Sequence, residues 1–333
     1  MSRRTAIKAV LLSLGVLLSP AGTARGQEGF FRWFQPFTGE REISVEAGGE
    51  YASRGEVRKQ ETGYEETRGV FSLLVPLAAG PESEWAATAR TSLRSIRTGA
   101  ILPDTGESFP PELWDLSLGA VHRRRLDNHW IVGGNLTLAS PSDRPFSGWD
   151  QTSVNFNGFL QVPSGRSNAW LFFLNYASNR EFAPHVPIPG AAYLYAPSRD
   201  FSALLGAPLL FVNWRPAGRL NLRGFYFPIH TVFLGGEYEL GGGWKLFSSY
   251  RWENDRYYRY GREKREQRLF WYEQRLETGI AWSTGSGIEL ALSGGYAWDR
   301  FFFEGKNYGD DRTDNRLDIS DGPFLTARFR ARF

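Results

Sequence analysis

Leu325-Thr326-Ala327-Arg328-Phe329-Arg330-Ala331-Arg332-Phe333 alternates without a slip: Leu325, Ala327, Phe329, Ala331 and Phe333 fall on one side, Thr326, Arg328, Arg330 and Arg332 on the other. Successive side chains of a strand point to opposite faces, so a period of two makes this an extended segment with one apolar and one charged face. The pattern repeats upstream. Residues 231–240 set Val232, Leu234, Gly236, Tyr238 and Leu240 against Glu237 and Glu239, and Gly241-Gly242-Gly243 then turns the chain. Trp244, Leu246, Tyr250 and Trp252 alternate with Lys245, Ser249, Arg251 and Glu253. Phe270, Tyr272, Leu276, Ile280 and Trp282 face away from Glu273, Arg275, Glu277 and Gly279. After the turn Thr284-Gly285-Ser286-Gly287, the residues Ile288, Leu290, Leu292, Tyr296 and Trp298 alternate with Glu289, Ser293 and Asp299.

Shorter runs with the same habit are Ile43 to Tyr51, Gly69 to Leu77, Trp85 to Leu93, Trp114 to Ala120, Trp130 to Leu138, Val154 to Val162 and Trp170 to Tyr176, and Trp and Tyr recur at their ends. Strands with one apolar face, one polar face and aromatic ends are the parts of a transmembrane β-barrel, whose outer face meets lipid and whose inner face lines a lumen. The predicted fold class is all-β, an antiparallel up-and-down barrel. At roughly 22 residues per strand and connection, the chain accommodates about 14 strands, within a range of 12 to 16. Ser202 to Trp214 fits least well, being apolar on both faces and carrying Pro208, which lacks a ladder donor. A bulged strand, or one whose inner face packs on a lumen plug, would reconcile it with a barrel. The longest expected loops are residues 98–112, 140–150, 178–190, 254–265 and 301–320.

Composition agrees with this reading. Aromatic residues make up 15% and Gly numbers 37, yet the mean hydropathy is −0.38, because lipid-facing and lumen-facing residues cancel in any window average. Met1 to Gly26 has a basic start (Arg3, Arg4, Lys8), an apolar run from Ala9 to Leu18 and small residues at Gly22, Ala24 and Gly26. It reads as a secretory signal, leaving 27–333 as a single barrel domain. That leader carries four basic residues and no acidic one, and the remainder holds 35 basic against 36 acidic side chains. The sequence pI near 9.1 therefore belongs to the leader, and the electrostatic footprint of a nucleic-acid partner is absent. With no Cys, disulfides and thiolate metal sites are excluded. Phe30, Phe31, Trp33, Phe34 and Phe37 form an aromatic knot ahead of the first strand, suited to interfacial packing or to plugging a lumen.

An apolar period-two strand ending on Phe333, with Phe329 on the same face, resembles the terminal signal by which bacterial outer-membrane proteins are recognised by their assembly machinery. The stretches Pro187-Ile188-Pro189-Gly190-Ala191-Ala192-Tyr193-Leu194-Tyr195, Leu210-Phe211-Val212-Asn213-Trp214-Arg215-Pro216 and Gly294-Gly295-Tyr296-Ala297-Trp298-Asp299-Arg300-Phe301-Phe302-Phe303-Glu304 are similar to an uncharacterised family of bacterial outer-membrane-type β-barrel proteins. The resemblance covers most of the chain after the leader. It implies the fold and an outer-membrane location, with outer-membrane lipid and the barrel-assembly machinery as partners, and it implies no substrate and no catalytic residue.

The inner face is the candidate site. Glu237, Glu239, Arg251, Glu253, Glu273, Arg275, Glu277, Glu289, Arg328, Arg330 and Arg332 could select a small permeating solute, or could pair across the lumen and hold it rigid. The functional expectation is a passive channel or solute-uptake barrel, not an enzyme. The alternatives are a lipid-modifying hydrolase at the rim and a structural or binding barrel. Gly165-Arg166-Ser167-Asn168-Ala169 only approximates a nucleophile elbow and reads as a hairpin turn. His122, His129, His185 and His230 are scattered, none at metal-ligand spacing from another, and no cofactor motif stands out.

Overall fold

A computed structural model describes residues 41–180, 183–227, 231–312 and 314–333. The leader, the aromatic knot at Phe30 to Phe37 and His230 lie outside the described residues. The strands are β1 (Ser44–Val57), β2 (Thr62–Ala79), β3 (Ser83–Thr98), β4 (Glu112–Arg125), β5 (Ile131–Ser142), β6 (Ser153–Ser164), β7 (Asn168–Ala177), β8 (Ile188–Tyr195), β9 (Phe201–Ala207), β10 (Leu210–Ala217), β11 (Leu220–Phe227), β12 (Thr231–Gly241), β13 (Trp244–Tyr257), β14 (Arg268–Ser283), β15 (Ile288–Gly305), β16 (Arg316–Ile319) and β17 (Gly322–Arg332). Each pairs antiparallel with its neighbour in sequence, up to β15, which pairs with both β16 and β17. The ring closes where β17 meets β1, with Leu325 opposite Tyr51 and Ala331 opposite Val45. β16 and β17 are two halves of one stave, interrupted at Ser320 and Asp321, so the barrel has 16 staves.

The two staves beyond the expected 14 come from the middle of the chain. Ser202 to Trp214 is a hairpin of β9 and β10, joined through a cis Ala207-Pro208 bond, with Leu204 opposite Phe211. The turn escapes a sequence reading because Ala207, Pro208 and Leu209 offer neither Gly, Asn nor Asp. By contrast Gly241-Gly242-Gly243 adopts φ of 99°, 61° and 84°, and a Cβ on Gly243 would sit 2.2 Å from the Ser283 carbonyl oxygen. Ile188 to Tyr195, partly assigned to a loop, is also a strand.

One face of the ring is apolar and exposed. Leu118, Leu136, Leu234, Leu276, Leu292 and Leu325 are each at least half accessible, as residues that meet lipid must be. Trp85, Trp170, Trp244 and Trp282 girdle the short-turn end, and Tyr250, Trp252, Tyr272 and Trp298 stand toward the other. From Trp282 to Tyr272 is a ten-residue step along β14, which at about 3.4 Å per residue and a tilt of about 40° makes an apolar band of about 25 Å. Connections at the Trp282 end have two to five residues, whereas residues 99–111, 143–152, 178–187, 258–267 and 306–315 form long loops at the opposite end. In outer-membrane barrels short turns are periplasmic and long loops extracellular.

Asp299 departs from its expected place on the charged face. It sits at φ 50° in a bulge of β15, and the register steps between Tyr272 and Gln274 of β14. Gln274, on the outer face, donates to its carboxylate at 3.1 Å. Beyond the bulge the phase is inverted, so Arg300 and Phe302 turn inward.

The ring is not round. Sixteen staves about 4.8 Å apart and tilted by about 40° would enclose a cylinder about 30 Å across. Yet β13 touches β4 and β5, which lie on the opposite side of the ring. The extracellular half is pinched there into two lobes.

Candidate functional site

The lobe formed by β14, β15, β16, β17, β1, β2 and β3 is filled with paired charges. Glu66 is inaccessible and accepts from Tyr64 Oη at 2.9 Å, Arg68 Nε at 2.6 Å, Arg94 Nη1 at 2.6 Å and Arg300 Nη2 at 3.0 Å. Glu273 takes two hydrogen bonds from Arg68, at 2.6 and 2.9 Å. Arg94 also reaches the pinch, donating to Asp255 at 2.8 Å and to Tyr257 Oη at 3.1 Å. Trp271 lies among three guanidiniums, with Arg94, Arg300 and Arg68 at 4.8, 5.5 and 5.6 Å from its ring centre. A carboxylate shared by three guanidiniums balances a desolvation that no single member could tolerate alone.

The sequence-selected charges fall on this inner face by register. Glu277 pairs with Arg328 and Arg251, Arg275 with Glu50 and Glu273, and Arg251 also with Glu253. Nearer the periplasm, Glu289 meets Lys245 and Arg330 at 3.4 Å each, Arg330 meets Glu46 at 3.0 Å, and Glu237 meets Arg223. Glu239 and Arg332 are exposed at the periplasmic rim. Phe329 and Phe333 face outward on the closing stave, and Ile43 and Phe333 exchange backbone hydrogen bonds of 2.9 and 3.1 Å. Glu66, Arg68, Arg94 and Arg300 were missed. For the first two the sequence carries a signal, since Tyr64, Glu66 and Arg68 share one face at period two just ahead of the run that begins at Gly69.

In the other lobe part of the inner wall is apolar. Leu171, Leu194, Leu204, Phe211 and Phe225 are between 1 and 7% accessible although they point away from lipid. This wall explains why Ser202 to Trp214 looks hydrophobic on both faces.

Loops at the extracellular end pack inward. Ala100, Leu102 and Phe109 of the 99–111 loop are buried among Tyr257, Leu269, Trp271, Phe302, Leu317 and Ile319, with the Phe109 and Phe302 rings 4.7 Å apart. The Tyr258 amide donates to the Pro141 carbonyl at 2.7 Å, joining the ends of β13 and β5. Arg259 binds Glu107 and, at 2.8 Å, Glu304, and Arg262 binds the Asp150 carbonyl. Burial would lower the Arg259 guanidinium, but these two carboxylates outweigh it and raise it above its ordinary value. Asp311 in the 306–315 loop is raised, first by burial and then by Asp318 and Asp299, against the pull of Arg316.

Among the other sequence candidates, the His122 ring stacks on Trp85 at 4.0 Å on the outer face, and its Nδ1 lies 3.0 Å from the Glu84 carbonyl oxygen. His129 and His185 occupy turns at positive φ, and Ser167 lies in the β6–β7 turn.

A closed antiparallel ring with an apolar outer band between aromatic girdles defines a bacterial outer-membrane β-barrel, with its long loops turned outward from the cell. No family model and no curated protein matches the chain. Among solved structures it is similar to OccK7 (OpdD) of Pseudomonas aeruginosa, at 11% identity over 88% of this chain and 99% of that one, with a TM-score of 0.41. It is also similar to an outer membrane channel of Pseudomonas putida F1, at 11% identity over 88% and 95%, TM-score 0.37. The translocator domain of the autotransporter NalP from Neisseria meningitidis matches at 9% identity over 87% and 88%, TM-score 0.33.

Proposed function

We propose that this barrel is a gated conduit for small solutes, closed at its extracellular mouth in the conformation described. The observation that supports the reading is where the 99–111 loop lies. The 99–111 loop folds into the lumen instead of away from it, while the ladder of the wall stays complete around it. A barrel of this stave number is wide enough for an aqueous channel, so closure needs a device, and a loop on two stems is a movable one.

The test is single-channel recording on refolded protein, native and with residues 101–108 replaced by a short Gly-Ser linker. The native barrel should be silent or flicker briefly, and the shortened one should give sustained conductance steps. A shortened barrel that migrates as folded on an unheated gel yet never conducts would remove the channel reading. Hydrolysis of phospholipid or lipopolysaccharide analogues by the same silent protein would instead favour the enzyme, and silence without hydrolysis a structural or binding barrel.

A further inference from the structure

Arg68, Arg94, Arg251, Arg275, Arg300, Arg328 and Arg330 each meet a carboxylate, and an inner arginine not yet named meets none among the described residues. Arg90 lies about halfway along β3, on the inner face with Arg94. Its side chain makes no hydrogen bond or ion pair among the described residues, and its Nε is buried without a partner. The residue is only half-buried, so water reaches the rest of the guanidinium. Its direct neighbours across the ladder are Ser72 on β2 and Ser117 on β4, both half-buried. Directly opposed residues hold their Cβ atoms about 5 Å apart, so the two hydroxyls stand on either side of the base of the Arg90 side chain. Thr88, one inward position toward the periplasm, adds a third hydroxyl on the same wall.

We infer that Arg90 is a lumenal binding station for a small oxyanion, a carboxylate or phosphate group of the solute. The inference rests on the conduit reading and supplies its substrate class. A guanidinium presents paired N–H donors in a plane that matches two oxygens of such a group, and charge-assisted bonds of this kind are the strong ones. In a low-dielectric wall an unpaired charge is unfavourable, and for Arg68, Arg94, Arg275 and Arg300 a carboxylate of the protein meets that need. At Arg90 no described carboxylate supplies the complement, and solution can. Asp115, one inward position from Ser117 toward the outside, is not paired with Arg90 and has contacts of its own.

The experiment is calorimetric titration of the folded barrel in detergent with inorganic phosphate and, separately, with succinate. The native protein should bind at least one of them saturably, the two arms telling phosphate from carboxylate preference. Arg90→Gln should weaken that binding at least tenfold, while Arg90→Lys retains part of it, with unheated gel mobility unchanged in both. Equal binding by the native and Arg90→Gln proteins, or no saturable binding of either anion by the native one, would overturn the inference. Conductance is a separate measurement: a barrel that binds phosphate through Arg90 but never conducts would end the conduit reading and leave the station standing.

Discussion

Tyr258, the first residue past β13, and Ser142, the last of β5, form a parallel β-bridge although β13 and β5 stand on opposite sides of the ring. Tyr258 donates its amide to Pro141 at 2.7 Å, and Asp143 donates back to the Tyr258 carbonyl at 3.4 Å. The first of these is the shorter, and a proline at 258 would abolish it without touching the wall. We expect Tyr258→Pro to raise conductance or liposome swelling severalfold at unchanged gel mobility. Native-like silence in the folded variant would show that the bridge does not hold the mouth shut.

Glu66 is the acceptor for three guanidiniums. Its removal leaves Arg68, Arg94 and Arg300 with less compensation in a site closed to water, so Glu66→Ala should destabilise the barrel by about 3–5 kcal/mol. Urea titration of the refolded protein checks this. A loss below about 1 kcal/mol would mean that the buried cluster is not held by this carboxylate.

Leu292 is 62% accessible on the lipid face, six residues from Trp298, whereas Leu290 lies nearer the periplasmic start of β15. Leu292→Arg should cost roughly 2–4 kcal/mol, and Asn155→Arg, on the half-accessible inner wall of β6, under about 1 kcal/mol. Ser293 would be a poor comparison. It is 4% accessible and hydrogen-bonds Glu277 beside Arg328, so an arginine there would bury a second cation. Equal costs for Leu292→Arg and Asn155→Arg would reverse the assigned faces.

Asp311 supplies a pH dependence of determinable sign. Its carboxyl is raised in the folded loop above its ordinary value, so the fold binds this proton more tightly than the unfolded chain does. Its contribution to stability therefore grows as the pH falls through the raised folded value toward the ordinary aspartate value near about 3.9. Asp311→Asn should flatten that part of the heat-modifiability profile without loss of stability at neutral pH. An unchanged profile would assign the dependence to other groups.

The outward and inward faces of β12 to β15 were legible because long stretches of each strand alternate without interruption from the Gly-rich turns at their periplasmic ends. Leu234 and Leu276 face lipid while Arg251 and Glu277 face inward, as their alternation requires. The reading lost phase where local rules are broken. The bulge at Asp299 inserts one residue and inverts everything after it, and a period-two pattern cannot announce its own slip. The β9–β10 turn lacks turn-forming residues, and both faces of its strands are apolar because one meets lipid and the other a packed inner wall. Pairing was the least legible layer. That Arg94 meets Asp255 and Arg90 meets no carboxylate among the described residues depends on which walls approach each other, and no local pattern in the sequence encodes that approach.

The pinch between β5 and β13 has a geometric consequence. A hydrogen-bonded ring has a fixed perimeter, and a flattened ring of given perimeter encloses less area than a round one. Rounding this barrel would enlarge its cross-section without lengthening the wall or breaking a rung of its ladder. Only contacts spanning the interior, such as those of Tyr258 and of Arg94, would have to yield. The lipid around it would feel the change as a shift of outline at constant circumference, so neighbours packed against its narrow edges in the membrane could bias the shape of the lumen with no ligand inside it.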